Sequence, residues 1–172
     1  MFFSMELIFA HMKRGDKLML LFLWSGFFMI SCRQTDLYET NKVISPSGWK
    51  SSEKATGTFN ISDTNALYNL YLVLRHTDAY HYNNIWLEVG VKAPGDTMFL
   101  QKVELPLGSD AQGWYGKGMN DIFEFRKQIN QYPRRFLKAG VYSYSIGNIM
   151  REDPLQNVLS VGLRIEKAGS VQ

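Results

Sequence analysis

Alternation of apolar and polar residues is the feature that most constrains how this chain folds. Between residues 159 and 165 every odd position is apolar, and Ser160, Gly162 and Arg164 lie between them. A repeat of two residues puts the apolar side chains on one face of a β-strand, whereas it would spread them around a helix. The repeat predicts strands with one buried and one solvated face at residues 67–75, 85–92, 99–107 and 159–165.

Weaker strand signals fill much of the remaining sequence. They lie at residues 37–44, 56–61, 122–125 and 141–146. Turn-forming pairs such as Asn83-Asn84 and Ala139-Gly140 separate the candidates. About eight short strands joined in this way predict an all-β domain, an antiparallel β-sandwich of a jelly-roll-like kind. One helical turn also fits within residues 126–137, where Pro133 limits its length.

The segment before these strands resembles the signal of a bacterial lipoprotein. Lys13, Arg14 and Lys17 precede an apolar run at residues 18–30, which Ser31 and Cys32 follow. The run is too short for a comfortable transmembrane helix, which needs about 20 apolar residues. It fits the core of a signal peptide, with basic residues before it and a small residue at the processing point. The single cysteine of the chain is therefore predicted to be the lipidation site.

Two other interpretations of Cys32 remain. A buried core helix with a free cysteine is one, but residues 18–30 offer no polar face to solvent. Secretion without lipidation is the other, and it would leave an unpaired thiol in an oxidising compartment. We expect a lipoprotein signal with a signal helix at 1–31, a short lipid-anchored tether at 32–36 and one β-sandwich domain at 37–172. Translation starts at Met1, Met5 or Met12.

Composition and charge exclude several classes of function. The net charge of +3 falls to +2 without residues 1–31, because that segment holds three basic and two acidic residues. No long basic run is present, so nucleic acid is not an expected partner. His76 and His81 flank one loop without the spacing of a metal site, and no cofactor or metal is expected. Residues 60–65 offer oxygen ligands for calcium, but a turn is the preferred interpretation.

The segment 75–86 is the first of three clusters that could carry function. Tyr80, Tyr82 and Trp86 could stack on a ligand while Arg75 or Asn84 fixes its orientation. The structural alternative is preferred: the rings cover one end of the sandwich, and Asn83-Asn84 only shapes the turn.

Two further clusters follow along the chain. In residues 113–118 three glycines surround Trp114 and Tyr115, which predicts tight backbone geometry with Trp114 wedged at a corner of the sandwich. A binding platform is the less favoured interpretation. In residues 149–155 we expect Arg151 to pair with a carboxylate and to hold the connection to the last strand.

These clusters, in order and behind Cys32, resemble the gliding-motility lipoprotein GldH family of the Bacteroidetes over residues 38–165. The motifs are Tyr68-Asn69-Leu70, Leu74-Arg75-His76-Thr77, Tyr80-x-Tyr82-Asn83-Asn84-Ile85-Trp86-Leu87, Gly113-Trp114-Tyr115-Gly116-x-Gly118 and Met150-Arg151-x-Asp153-Pro154-Leu155. The resemblance implies a lipoprotein that carries fatty acid such as palmitate on Cys32, in the outer membrane facing the periplasm. It also implies an accessory or scaffold role, with partner proteins, in gliding motility and the linked type IX secretion machinery.

The resemblance carries no catalytic residues to this chain, so we expect a protein that is not an enzyme. The alternative function is a glycan-binding lipoprotein that stacks sugars on exposed Tyr and Trp rings. It requires that the rings form one exposed platform. An enzyme would need a cleft with convergent titratable groups, and the sequence has no G-x-S-x-G motif.

Overall fold

The computed structural model describes residues 37–168, which all fall in one structural unit, Thr35–Gln172. These residues form eight strands of seven or more residues and three shorter ones. The long strands are β1 (Leu37–Val43), β2 (Ala55–Ile61), β3 (Tyr68–Thr77), β4 (Asn84–Lys92), β5 (Phe99–Pro106), β9 (Ile122–Gln128), β10 (Gly140–Asn148) and β11 (Val158–Lys167). The short strands are β6 (Gly108–Ser109), β7 (Gly113–Trp114) and β8 (Lys117–Met119).

Two antiparallel sheets carry the long strands. One has the order β1-β11-β3-β9-β8 and the other the order β2-β10-β4-β5, while β6 and β7 pair only with each other. The pairs β4 with β5, β3 with β9, β2 with β10 and β1 with β11 are nested, each enclosing the previous one along the chain. Such nested pairs, divided between two sheets, are the topology of a jelly roll.

The alternation in sequence accounts for how the sheets pack. Leu70, Leu72 and Leu74 on β3 are buried, and their partners on β11 are also buried and apolar. Ile85 and Leu87 supply buried side chains from the other sheet. The apolar faces of the two sheets therefore form one core, as packed sheets require.

The all-β prediction is confirmed, and each of the eight predicted strands corresponds to a long strand within about three residues at either end. The prediction of a helical turn within residues 126–137 is wrong. β9 continues to Gln128, and Arg134 then makes an isolated bridge with Tyr68. The predicted signal helix, the tether and Cys32 lie outside the described residues. Nothing between residues 37 and 168 is a helix that could cross a membrane.

Asn130 explains why the segment after β9 stays extended. Its side-chain oxygen accepts the N–H of Leu70 at 2.8 Å, and its amide donates to the carbonyls of Tyr68 and Tyr132 at 3.0 and 2.8 Å. Pro133 follows and has no N–H for a helical turn. The backbone of this segment is thus bound to β3 instead of to itself.

The first strand is held to the last by a very close approach. Gly162 on β11 lies opposite Asn41, and a Cβ at this glycine would collide with the Thr40 carbonyl and with Asn41. On the same face Glu39 accepts hydrogen bonds from Arg164 at 2.7 Å, and Arg164 also pairs with Glu166. Burial opposes ionisation of Glu39, but the bonds from Arg164 and Asn41 outweigh it and lower its pKa.

We expect Gly162→Ala to destabilise the fold by about 1–3 kcal/mol, because the methyl group must displace the β1 backbone. Gly147→Ala is the matched control, since a Cβ there would meet only Lys54 side-chain atoms from 3.5 Å outward. Urea unfolding of the purified variants measures both values. Equal stability of the two variants would contradict the close approach of β1 to β11.

Candidate functional site

The topology places the connections between strands at two opposite ends of the sandwich. The proximal end is where Leu37 begins β1 and Lys167 ends β11, and it holds the connections 62–67, 93–98 and 129–139. The distal end holds the segments 44–54, 78–83, 107–121 and 149–157. The loops of all three clusters singled out in the sequence therefore meet at the distal end.

A buried histidine forms the centre of the distal end. The ring of His76 on β3 is fully buried, and its centroid lies 4.6 Å from Trp114, 5.5 Å from Tyr80 and 5.8 Å from Phe123. Nδ1 donates a hydrogen bond to the carbonyl of Thr77 at 2.8 Å. Burial lowers the pKa of His76 although this bond opposes the shift, so the imidazole is neutral.

Tyr80 and Trp114 close the core. Tyr80 is only 4% exposed, and its hydroxyl donates to the carbonyl of Asn84 at 3.1 Å. Burial raises its pKa, with smaller contributions from Glu152 and Tyr82. Trp114 is half-buried and meets His76 edge to face at 66°. The ring of Tyr80 is therefore closed to a ligand, whereas Trp114 keeps part of its ring at the surface.

Tyr82 remains at the surface and joins the first cluster to the third. It is 37% exposed, and its hydrogen bond to the carboxylate of Glu152 raises its pKa. Glu152 Oε1 also accepts the N–H of Gln156 at 3.1 Å. His81 Nδ1 lies 3.6 Å from Glu152 Oε2. Glu152, which sequence reasoning did not single out, thus organises this side of the distal end.

Trp86 lies on the outer face of the four-stranded sheet. It is 41% exposed, and its carbonyl accepts the N–H of Ile149, which is also exposed. Asn84 donates from its side chain to Glu104 at 2.6 Å. We call Tyr82, Trp86 and Ile149 the distal rim. Val43, Met119 and Ile122 are also exposed at the distal end, but they lie on the five-stranded sheet.

The two arginines do not converge on this rim. Arg75 faces away on the outer side of the five-stranded sheet, where its Nη2 lies 2.6 Å from Glu124. Arg151 is exposed and makes no hydrogen bond or ion pair with any other described residue. The prediction that Arg151 pairs with a carboxylate to hold the last connection is therefore wrong for the described chain.

Asp153 makes the connection that was expected of Arg151. Its carboxylate accepts the N–H of Ser51 at 2.8 Å and the Ser51 hydroxyl at 2.6 Å, and these bonds lower its pKa. Beside it Leu155 and Trp49 exchange two backbone hydrogen bonds at 2.8 and 2.9 Å. Trp49 is almost fully buried and also accepts a bond from Asn148. Sequence reasoning missed Trp49 because its partners lie about a hundred residues away.

Comparisons with known proteins decide the family. The GldH lipoprotein family matches residues 36–165, the range that holds every cluster described above. The chain belongs to the GldH lipoprotein family. The resemblance recognised in the sequence motifs is thereby confirmed.

Two members of the GldH family show how far the similarity extends. "Gliding motility lipoprotein GldH" of Flavobacterium johnsoniae is 25% identical over 153 residues, covering 84% of this chain and 93% of that protein. "Gliding motility lipoprotein GldH homolog" of Christiangramia forsetii is 23% identical over 155 residues, covering 86% and 94%. A solved structure, the infectious bursal disease virus VP2 subviral particle, covers 80% of this chain and 34% of its own at 12% identity, with a TM-score of 0.34. That likeness is too slight to inform fold or function.

Within residues 37–168 the structure brings together no group of three or more His, Cys, Asp or Glu side chains that could hold a metal ion. In the 60–65 segment Asp63 instead accepts the N–H groups of Asn65 and Ala66 at 3.0 and 3.1 Å. This is the turn that the sequence favoured over a calcium loop.

The buried neutral His76 makes stability depend on pH. The unfolded imidazole binds a proton near its ordinary pKa of 6.5, whereas the folded one binds it only at lower pH. Below pH 6.5 the His76 imidazole of the unfolded state thus binds a proton that the folded state lacks. We expect the free energy of unfolding to fall there by up to about 1.4 kcal/mol per pH unit. Urea titrations on either side of this pKa measure the change.

His76→Gln should reduce this pH dependence, because glutamine can donate to the Thr77 carbonyl but does not titrate. His81→Gln is the control, since the His81 side chain is 63% exposed and should leave the dependence largely unchanged. An equal loss of stability on acidification in wild type and His76→Gln would contradict the assignment.

Proposed function

We propose that this protein is a lipoprotein of the cell envelope, anchored by acyl chains on Cys32 in the outer membrane and facing the periplasm. Its sandwich acts there as a non-enzymatic accessory or scaffold in gliding motility and in the linked type IX secretion machinery. Membership of the GldH lipoprotein family carries this proposal. Two relatives that match almost their whole length are named as gliding motility lipoproteins.

The position of the first strand supports an anchor at Cys32. Four residues lie between Cys32 and Leu37, and the five Cα-to-Cα steps that join them span at most about 18 Å. The anchor therefore restrains the proximal end, where Leu37 begins the sandwich. Two or more acyl chains give stable attachment, whereas one gives only marginal binding. The distal rim is then the part of the domain farthest from the anchor.

The arrangement of side chains at the distal end suits binding better than catalysis. Three carboxylates near the rim are already engaged: Glu152 with Tyr82 and Gln156, Asp153 with Ser51, and Glu104 with Asn84. Groups satisfied in this way fix the shape of the loops. Exposed aromatic and aliphatic side chains on rigid loops are the usual anchors of protein interfaces. We assign the distal rim to a protein partner.

The glycan-binding alternative is less well supported. A stacking site needs several rings in one exposed plane, but Tyr80 is buried and Trp114 meets His76 edge-on. Trp86 lies on the outer face of the four-stranded sheet, away from both. Tyr80, Trp86 and Trp114 therefore do not form one exposed platform.

Lipidation at Cys32 is tested by growing cells with a labelled fatty acid. The wild-type protein should incorporate the label and fractionate with membranes, and Cys32→Ala should do neither because the acceptor thiol is gone. Ser31→Ala is the control, because it keeps a small residue before the cysteine. Unchanged labelling of Cys32→Ala would refute the anchor.

The distal rim is tested by crosslinking in intact cells that depend on this lipoprotein for gliding. We expect Trp86→Ala to reduce the captured partner about tenfold or more, as loss of a central aromatic anchor does at other interfaces. Met119→Ala is the matched control for Trp86→Ala, because Met119 is also exposed but belongs to the five-stranded sheet. If Trp86→Ala at normal protein level gives wild-type capture and gliding, the rim is not the interface.

A further inference from the structure

The proximal end exposes large apolar side chains that the core does not explain. Leu137 is 89% exposed, Phe99 73% and Tyr132 72%. Scattered single residues of this kind are normal on a protein surface, but a group at one end of a domain indicates contact with something apolar.

Polar contacts join the two proximal segments that carry these side chains. Lys138 Nζ donates to the carbonyl of Pro94 at 3.3 Å and pairs with Asp96 at 2.6 Å. These contacts join the segment that carries Tyr132 and Leu137 to the turn that leads into Phe99. We call Phe99, Tyr132 and Leu137 the proximal patch.

The charge around the proximal patch is basic. Lys92, Arg134 and Arg135 are exposed, and none of them has an acidic partner among the described residues. The proximal connections carry three basic and two acidic residues, whereas the distal segments carry four basic and six acidic ones. An anionic surface would therefore attract the proximal end and repel the distal end.

We propose that the proximal end is a docking surface for an anionic phospholipid bilayer. The inference rests on the anchor proposed at Cys32, because a tether of at most about 18 Å keeps this end beside the membrane that holds the lipid. The proximal patch enters the interfacial layer, where tyrosine and apolar side chains are favoured, and Arg134, Arg135 and Lys92 contact lipid phosphates. The sandwich then stands on the membrane with the distal rim pointing away from it.

Fluorescent labels at single cysteines test the docked orientation. Cys32 is the only cysteine and its sulfur is acylated in the proposed state, so a maleimide bimane label attaches only to an introduced cysteine. Leu137→Cys reports the proximal patch and Met119→Cys, also highly exposed, reports the distal end. The full-length lipidated protein is reconstituted in vesicles of phosphatidylethanolamine and phosphatidylglycerol that contain a spin-labelled lipid as quencher.

We expect the label at 137 to be blue-shifted and quenched, and the label at 119 to keep its emission in water. Arg135→Gln should lower the ratio of docked to undocked protein about fivefold, and Arg151→Gln at the distal end should leave it unchanged. Omitting phosphatidylglycerol should act in the same direction as Arg135→Gln.

The outcomes separate the docking surface from the anchor. If the protein floats with the vesicles but the label at 137 is quenched no more than the label at 119, docking is refuted and the anchor stands. If the protein does not float, the Cys32 anchor is refuted, and the docking inference that rests on it is refuted too. Equal effects of Arg135→Gln and Arg151→Gln would refute the electrostatic part.

Discussion

The pairing of the first strand with the last is the interaction on which the rest of the structure depends. It is the outermost of four nested pairs, and it brings Leu37 next to Glu166 across more than a hundred residues of chain. Closing so long a loop is entropically costly and favours slow folding, so the contacts that hold β1 must be good ones. The close approach at Gly162 and the bonds from Arg164 to Glu39 provide them. Without this pair the start of β1 has no fixed position in the sandwich.

The two ends that this pairing defines are built from different chemistry. At the proximal end Phe59, Phe136 and Tyr142 pack ring against ring inside the core, and basic and apolar groups remain outside. At the distal end His76 and Tyr80 are buried, while carboxylates tie the loops to one another. A rigid distal end suits binding, because little conformational entropy is lost when a partner docks on loops that are already fixed.

Local pattern predicted the strands, and long-range contacts decided the site. Alternation is visible within eight residues, so the long strands followed from the sequence, as did the buried faces of β3, β4 and β11. The prediction of a helical turn was wrong because Asn130 bonds to β3, about sixty residues away along the chain. The last connection was assigned to Arg151, but Asp153 makes it. Ser51, the hydrogen-bond partner of Asp153, lies 102 residues away along the chain, and no local feature of the sequence identifies it. Tyr80 and Trp86 were both candidate ligand-binding rings in the sequence. The structure separates them, because Tyr80 packs on His76 in the core and Trp86 lies at the surface.

The proposed attachment through both a lipid and a docking surface would have a consequence for how a partner is reached. Acyl chains on Cys32 would hold the proximal end at an effective concentration of roughly millimolar, so even weak affinity for phospholipid would keep the domain docked. A strand of ten residues such as β3 is about 33 Å long. Docking would thus hold the distal rim about one domain length above the bilayer, in one orientation. A partner in the gliding machinery would then meet Trp86 at a defined height, which a freely tumbling lipoprotein cannot offer.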